Sequence, residues 1–393
     1  MASDDPRFSG SLPVASDDPR FSGSLPAAAD LRTWAVWHLR AQAVACARLG
    51  SPLYAELLGR VADDVQAEGP AWDVLASHTS RDPGDAMGLR LMAAVHRLVL
   101  TGVAPQLAVH YPSVGGSAAP RDAWEAFRDV LVEHRHALHE LVGRPCQTNE
   151  VGRSAALAPA FLHVAATTGL PLRLLEVGAS AGLNLRWDHY RYADDSRGGT
   201  AWGDPASPVR ITGAWQVPAR LTDVTVAVAE RRGCDPRPID PTSEDGRVSV
   251  MAPVWADQRH RLERLRGALA VAERVPATVD AAAVRDWLPR QLDAAVPGFA
   301  TVVYHSVVWQ YLGRDDHAAL RDGLAAAGRR ATPAAPLAWL RMEPEADALA
   351  FIVRLTRWPG GAEQVLAVSG PHGPPVRWQP PERSQVEGLV TLS

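Results

Sequence analysis

The chain has 393 residues, 47% of them apolar and 21% charged, with a formal net charge of −4. That length suits two hydrophobic cores rather than one, and the composition excludes a disordered chain, a collagen-like fibre and a disulfide mini-protein. The 40 basic residues, all arginine, are outnumbered by 44 acidic ones, so there is no cationic excess for a nucleic-acid backbone, and no apolar run approaches the roughly 18 residues of a membrane helix.

The chain opens on a duplication: Ala2–Pro13 and Ala15–Pro26 both read ASDDPRFSGSLP. Two copies cannot stack into a solenoid, and their polar, Pro- and Gly-containing composition predicts a disordered tail over residues 1–29. No basic-then-apolar leader is visible, which predicts a cytoplasmic protein. Cys46, Cys146 and Cys234 are too widely spaced for a zinc site or a disulfide framework, so no metal is expected.

Residues 30–145 carry helical periodicity and predict an all-helical domain. Trp34, Trp37, Leu39 and Ala41 open a first helix, and Tyr54, Leu57, Leu58 and Val61 fall at i, i+3, i+4, i+7. Leu89, Leu91, Met92, Val95, Leu98 and Val99 make another amphipathic run, and Trp124, Phe127, Val130, Leu131, His134 and Leu138 a third, read as one helix. Gly69-Pro70, Asp82-Pro83-Gly84 and the segment 113–120 break the pattern, and Gly143-Arg144-Pro145 closes it.

Residues 146–393 change character. The pattern predicts a helix over Arg153–Thr168, a buried strand over Leu172–Val177, a Gly-rich turn, and a helix from Leu183. Residues 188–250, rich in Gly, Pro, Trp and Asp, read as an insertion with short strands. A helix follows over His260–Glu273, then strands at Val275–Val279, Phe299–Tyr304 and Pro336–Met342, with a helix at Asp315–Ala327. Ala350–Thr356 and Gln364–Val368, joined by Trp358-Pro359-Gly360-Gly361, form a hairpin. Strands alternating with helices, then an antiparallel pair, predict an open α/β sheet.

The strongest chemical signal is Glu176-Val177-Gly178-Ala179-Ser180-Ala181-Gly182, a strand running into a turn of Gly, Ala and Ser. Small residues admit a ligand close to the backbone, and a following helix offers free N–H groups. Two chemistries compete for it. One is a cofactor loop. The other is a G-x-S-x-G nucleophile elbow with Ser180 as the nucleophile, which needs an acid and then a histidine: Asp257 or Asp280 with His305 or His372. A tight turn that binds nothing is the bland alternative.

E-x-G-x-S-x-G resembles motif I of the class I S-adenosylmethionine-dependent methyltransferases, with Ser180 in place of the central Gly. The hairpin around Trp358–Gly361 resembles their terminal strand pair, whose last strand inserts beside the fifth. Phe299–Leu312 (FATVVYHSVVWQYL) resembles the end of their fourth strand, and Val275–Asp280 their third. The resemblance implies a Rossmann-like sheet with a terminal antiparallel hairpin, preceded by the all-helical domain, and S-adenosylmethionine as cofactor. It implies that Glu176 engages the methionine amino group and that Gly178, Ser180 and Gly182 line the methionine and ribose. Asp257 takes the ribose hydroxyls, with Glu230, Asp235 and Asp240 as rivals, and Asp280 the adenine amine. At a closer level, Gln147–Arg153 (QTNEVGR), Glu176–Leu185, Gly233-Cys234-Asp235, Val254–Gln258 and His305–Leu312 are similar to an uncharacterised bacterial family, common in actinobacteria, known as a domain of unknown function.

Asn149, Glu150 and Arg153 precede the first strand and are expected at the cofactor edge, clamping a carboxylate or ribose, with Arg153 as the planar fork for a carboxylate; helix capping and an interdomain ion pair are the bland reading. His305 ends a central strand, where open α/β sheets bind ligands, and is a candidate general base. Glu343 follows the next strand and is expected to orient a substrate. His134, His136 and His139 lack metal-site spacing and read as a polar helix face. The expected partner is a small-molecule substrate, with neither nucleic acid nor membrane involved. The function expected is methyl transfer; a serine hydrolase and a non-catalytic cofactor-binding protein are the alternatives.

Overall fold

The computed structural model describes residues 30–81, 86–144, 146–196, 199–213, 215–345 and 350–379. The N-terminal repeat and the Asp82-Pro83-Gly84 break lie outside them. In chain order the helices α1 (Leu31–Arg48), α2 (Pro52–Gln66), α3 (Pro70–Leu75), α4 (Met87–Leu100), α5 (Pro105–Ala108), α6 (Trp124–Glu133), α7 (Arg135–Val142) and α8 (Ser154–Thr168) come first. Strands β1 (Leu172–Val177), β2 (Arg191–Ala193), β3 (Ala201–Trp202), β4 (Arg210–Thr212) and β5 (Trp215–Gln216) follow. Then come α9 (Ala219–Thr222), β6 (Val228–Asp235), α10 (Glu244–Met251), α11 (Arg259–Ala272), β7 (Thr278–Ala281), α12 (Val284–Gln291) and β8 (Ala300–Ser306). The chain ends on α13 (Arg314–Arg330), β9 (Leu337–Pro344), β10 (Phe351–Trp358), β11 (Ala362–Gly370) and β12 (Gly373–Trp378). No helix among the described residues is long and apolar enough to cross a membrane.

The chain divides into two compact units. The first is helical, and it contains more than residues 30–145: Ile239–Leu269 belongs to it too. Its core joins Leu39, Leu57, Leu58, Val61, Leu91, Val95, Phe127 and Leu131 to Trp255 and Ala256 of that later segment. The apolar faces read from α2 and α4 are therefore the ones buried. The run through Leu138 is two helices, broken at His134, and His136, His139 and Glu140 are exposed. Gln258 Nε2 donates to Leu49 O, and Arg266 donates to Ser113 O.

The second unit is a mixed α/β structure around a nine-stranded sheet in the order β5-β12-β11-β10-β9-β8-β1-β6-β7. Strands β7, β6, β1, β8 and β9 are parallel. Leu175, Val177 and Val303 face α12 and α13 on one side of the sheet; Phe161 of α8 stacks on Trp187 and meets Tyr304 edge-on from the other.

Two expectations are corrected by the sheet. The second parallel strand, β6, lies inside the stretch read as an insertion; its Glu230, Arg231 and Arg232 look like solvent residues in a sequence. Each is paired instead: Glu230 with Arg173, Arg231 bidentate with Asp188, Arg232 bidentate with Asp280. The inserted part is shorter, and β2, β3 and β4 form their own small sheet. The terminal strands also do not insert. The W-P-G-G hairpin forms, but β10 pairs directly with β9, and β11 and β12 continue as an antiparallel meander.

Candidate functional site

The carboxyl ends of β6, β1, β8 and β9 form one edge, because the register sets Val177 beside Cys234, Glu176 beside Tyr304 and Ser306 beside Met342. The Gly-rich turn leaves β1 there. Gly178, Ser180 and Gly182 all have positive φ, +69°, +53° and +65°. Serine in this region costs about 1 kcal/mol relative to glycine, and its amide is held by Asp235 Oδ2 at 3.0 Å. Gly178 and Ala179 donate to Cys234 O, and Gly182 to Ala179 O. The turn's amides are thus largely spent on the protein, and it leads into a 3₁₀ turn, Leu183–His189, rather than an α-helix. An anion cradle of free N–H groups does not form.

The glycines serve packing. A Cβ on Gly178 would meet Val308 at 2.6 Å, and one on Gly182 would meet Val279 at 2.9 Å. The missing Cβ is what lets Val308 and Val279 pack against the turn, which accounts for these two glycines by packing alone.

Polar atoms beside the turn remain unspent. Glu176 is 3% exposed, and its Oε2 has no hydrogen-bond partner. Burial pushes its carboxyl up to about 8, and the neighbouring Tyr304 hydroxyl and Arg186 guanidinium offset this only in part. Ser180 Oγ and Asn184 Oδ1 are also buried and unpartnered, while Asn184 Nδ2 donates to Glu150 O. Arg186 clamps the far side of the turn, donating to Gly182 O and Val275 O. The Tyr304 hydroxyl beside Glu176 is buried and unpartnered as well, and because buried polar atoms nearly always find partners these atoms make the turn the candidate ligand edge.

Across β8 lies a second cluster. His305 is fully buried, and its Nδ1 is 2.6 Å from Glu343 Oε1. The same oxygen accepts from the Val308 and Trp309 amides. His305 Nε2 and Glu343 Oε2 have no partner. Val307, between them in the chain, has φ +57°, an outlier for a β-branched residue. Arg153 ties this edge together, donating to Ser306 O and Pro371 O.

The remaining candidates lie elsewhere. Asp257 belongs to the helical unit, where Oδ1 accepts from Ser51 Oγ at 2.6 Å and Oδ2 from Leu53 N at 2.9 Å. It caps the start of α2, whose first N–H groups lack helical partners, so it is not a ribose ligand. Asp280 sits on β7 with its carboxylate held by Arg232 and by Trp287 Nε1, and Arg232 keeps it below the usual carboxylate range. With its oxygens engaged it has little left for an adenine amine. Asn149 falls in the helical unit and is buried.

The hydrolase alternative loses its geometry as well. Ser180 Oγ and His305 Nε2 are both unpartnered, so nucleophile and base do not meet; the acid on His305 is Glu343, not Asp257 or Asp280. Asp235, at the end of β6 and bonded to the turn, is the acid whose position matters here, although the sequence ranks it as one rival among three. Its signal is the short Gly233-Cys234-Asp235 stretch. The three cysteines are free, and burial raises their thiols to between about 11 and about 12, which makes them poor nucleophiles. Among the described residues no cluster of His, Cys, Asp and Glu could hold a metal ion. A groove of about 430 Å³, lined by Thr167, Thr301, Pro336, Arg357 and Trp358, opens at the opposite, amino end of β8 and β9, away from all of these atoms.

Fold and edge together define a mixed α/β protein with unsatisfied polar side chains at the carboxyl ends of its central parallel strands. The chain belongs to the family described as uncharacterized protein conserved in bacteria (DUF2332), which it matches over residues 37–378. Comparisons with curated proteins and with solved structures return no match.

Proposed function

We propose that the sheet unit is a Rossmann-like S-adenosylmethionine-binding domain and that the protein transfers a methyl group to a small molecule. The observation that carries this reading is the trio Glu176 Oε2, Ser180 Oγ and Asn184 Oδ1, buried and unpartnered where β1 ends. The parallel order β7-β6-β1-β8-β9 supports it, since doubly wound sheets take ligands outside the carboxyl ends of their strands. The trio offers an amide oxygen that accepts, a hydroxyl that donates or accepts, and a carboxyl that accepts once it has lost its proton, which suits a ligand rich in N–H and O–H groups, as an amino acid joined to a nucleoside is.

When bound, the cofactor supplies an electrophilic methyl group on a sulfonium. Glu176 receives the ligand's ammonium. A carboxyl raised to about 8 is protonated at neutral pH, so the ammonium displaces a proton as it pairs. Asp235 holds the turn, its Oδ2 accepting from the Ser180 amide and its Oδ1 from the Arg237 amide. Catalysis then rests on positioning the acceptor in line.

Calorimetric titration with S-adenosylmethionine and S-adenosylhomocysteine tests this. Saturable binding is expected, with Glu176→Gln weakening it tenfold or more. In two buffers of different ionisation enthalpy, wild type should release close to one proton at pH 7 and few above the Glu176 pKa. A folded wild type that binds neither ligand overturns the reading.

A further inference from the structure

We infer that His305 Nε2 is a proton acceptor held in place by Glu343, and that the second substrate is therefore a hydroxyl compound that must lose its proton before it can accept a methyl group. The inference rests on the methyl-transfer reading for its chemistry, but its geometry stands on a separate set of residues.

Glu343 Oε1 accepts the proton of His305 Nδ1, so in the neutral ring the lone pair is at Nε2. The carboxylate cannot swing away, because the same oxygen accepts two amides from the turn after β8. Register explains the pairing. His305 lies beside Arg341 on β9, so Glu343, two residues further on, shares its face and reaches past it. Nε2 is then left buried with nothing to accept from. A bare ring nitrogen is not peculiar to His305, since His163 Nε2 lacks a partner too; what sets His305 apart is the anchored carboxylate on its other nitrogen, and a third pattern is seen at His96. His96 is also fully buried, and both its nitrogens are used, Nδ1 by Ala252 O and Nε2 by Ser113 Oγ.

Aromatic rings flank the imidazole. The Trp309 ring lies 6.0 Å from the imidazole at 20°, and Trp339 lies 6.1 Å away. Trp309 sits on the turn shaped by Val307 at positive φ, and is followed by Tyr311, which is 62% exposed. Aromatic surroundings favour a hydroxyl carried on a flat, apolar body, which points to a phenol. The charged and titratable groups nearby are Arg341, stacked on Trp339, with Arg321 over Trp309, His317 bonded to Trp309 O, and Arg153 on Ser306 O. None of them is bonded to Nε2. In the proton step the substrate O–H bond breaks, an N–H bond forms at Nε2, and the electron pair stays on oxygen. The imidazolium that results lies against the Glu343 carboxylate.

The probe is p-nitrophenol, whose phenolate absorbs where the phenol does not. Titrated with the full-length protein and S-adenosylhomocysteine at a pH one unit below its solution pKa, the bound probe is expected to be ionised. In His305→Gln the ionised fraction should drop at least tenfold, and in Glu343→Gln by a smaller factor. Loss of ionisation only in proportion to lost folding is separated by nitrogen NMR of the histidines in wild type, where His305 should show a bare Nε2. A protonated Nε2 at neutral pH, or no His305-dependent ionisation while S-adenosylhomocysteine binds, overturns the inference. His305-dependent ionisation without any S-adenosylhomocysteine binding supports the proton acceptor and removes the cofactor reading instead.

Discussion

The cluster around Asp257 and His96 in the helical unit and the edge around Glu176 and His305 in the sheet unit contain the same kinds of side chain at similar depth. They differ in what is done with them. Asp257 spends one oxygen on Ser51 and the other on Leu53; His96 spends both nitrogens. Glu176, Ser180, His305 and Glu343 each keep one buried atom without a partner. The Tyr54 and Tyr111 hydroxyls of the helical unit are buried and unpartnered too, so the contrast lies in the ionisable groups: the acid and histidine of the helical unit are fully engaged, whereas those of the sheet edge keep buried atoms unpaired, each at a cost of about 1–3 kcal/mol.

This contrast can be broken by mutation. The largest effect is expected from Asp257→Ala, which uncaps α2 and strands a buried hydroxyl. It should lower unfolding stability by about 2–4 kcal/mol in denaturant titration while leaving S-adenosylhomocysteine affinity in the surviving folded protein unchanged. Selective loss of affinity at full stability would restore Asp257 as a ligand. Acidification comes next. Burial holds His96 at about 4, well under its ordinary 6.5. Below 6.5 the unfolded chain binds the proton that the native one refuses, so stability should fall as pH drops from 6.5 to 4, by on the order of 3 kcal/mol. Thermal unfolding of wild type against His96→Asn measures it, and a parallel fall in both would assign the acid sensitivity elsewhere.

Glu176 has the opposite sign. Its native carboxyl, at about 8, keeps a proton that the unfolded chain releases near 4.5. Stability should decline as pH rises between those values, and Glu176→Gln should flatten the profile even as it weakens ligand binding. Smaller still, Ser180→Gly should raise stability by about 1 kcal/mol by relieving the positive φ and weaken ligand binding only a few-fold; a fluorophosphonate should leave Ser180 unlabelled in wild type. The smallest effect belongs to Asp280→Asn. Its pair with Arg232 is partly exposed, so about 1 kcal/mol or less is expected, with binding unchanged.

Local pattern was enough for much of the fold. Tyr54, Leu57, Leu58 and Val61 declare their helix face by spacing, and all four are buried. Leu172–Val177, Phe299–Tyr304 and Pro336–Met342 read as strands because central parallel strands are apolar on both faces. The W-P-G-G hairpin announces itself by its turn. The failures were non-local. β6 carries Glu230, Arg231 and Arg232, so no periodicity marks it, and it is a strand because Arg173, Asp188 and Asp280, far away in the chain, neutralise it. β12 is short, and its two prolines hide it as a strand.

The site divides the same way. Sequence alone determined that a strand carrying Glu176 ends at Val177 in a turn of small residues, and that His305 and Glu343 lie at the ends of their strands, because strand pattern and residue type are local. Tertiary structure decided how each acid is used. Asp257 caps a helix that begins 205 positions earlier, Asp280 pairs with an arginine on the neighbouring strand, and Asp235 holds the turn. A carboxylate's chemistry is set by the donors that reach it. Those donors arrive through strand register and helix packing, which bring together residues that no spacing in the sequence connects.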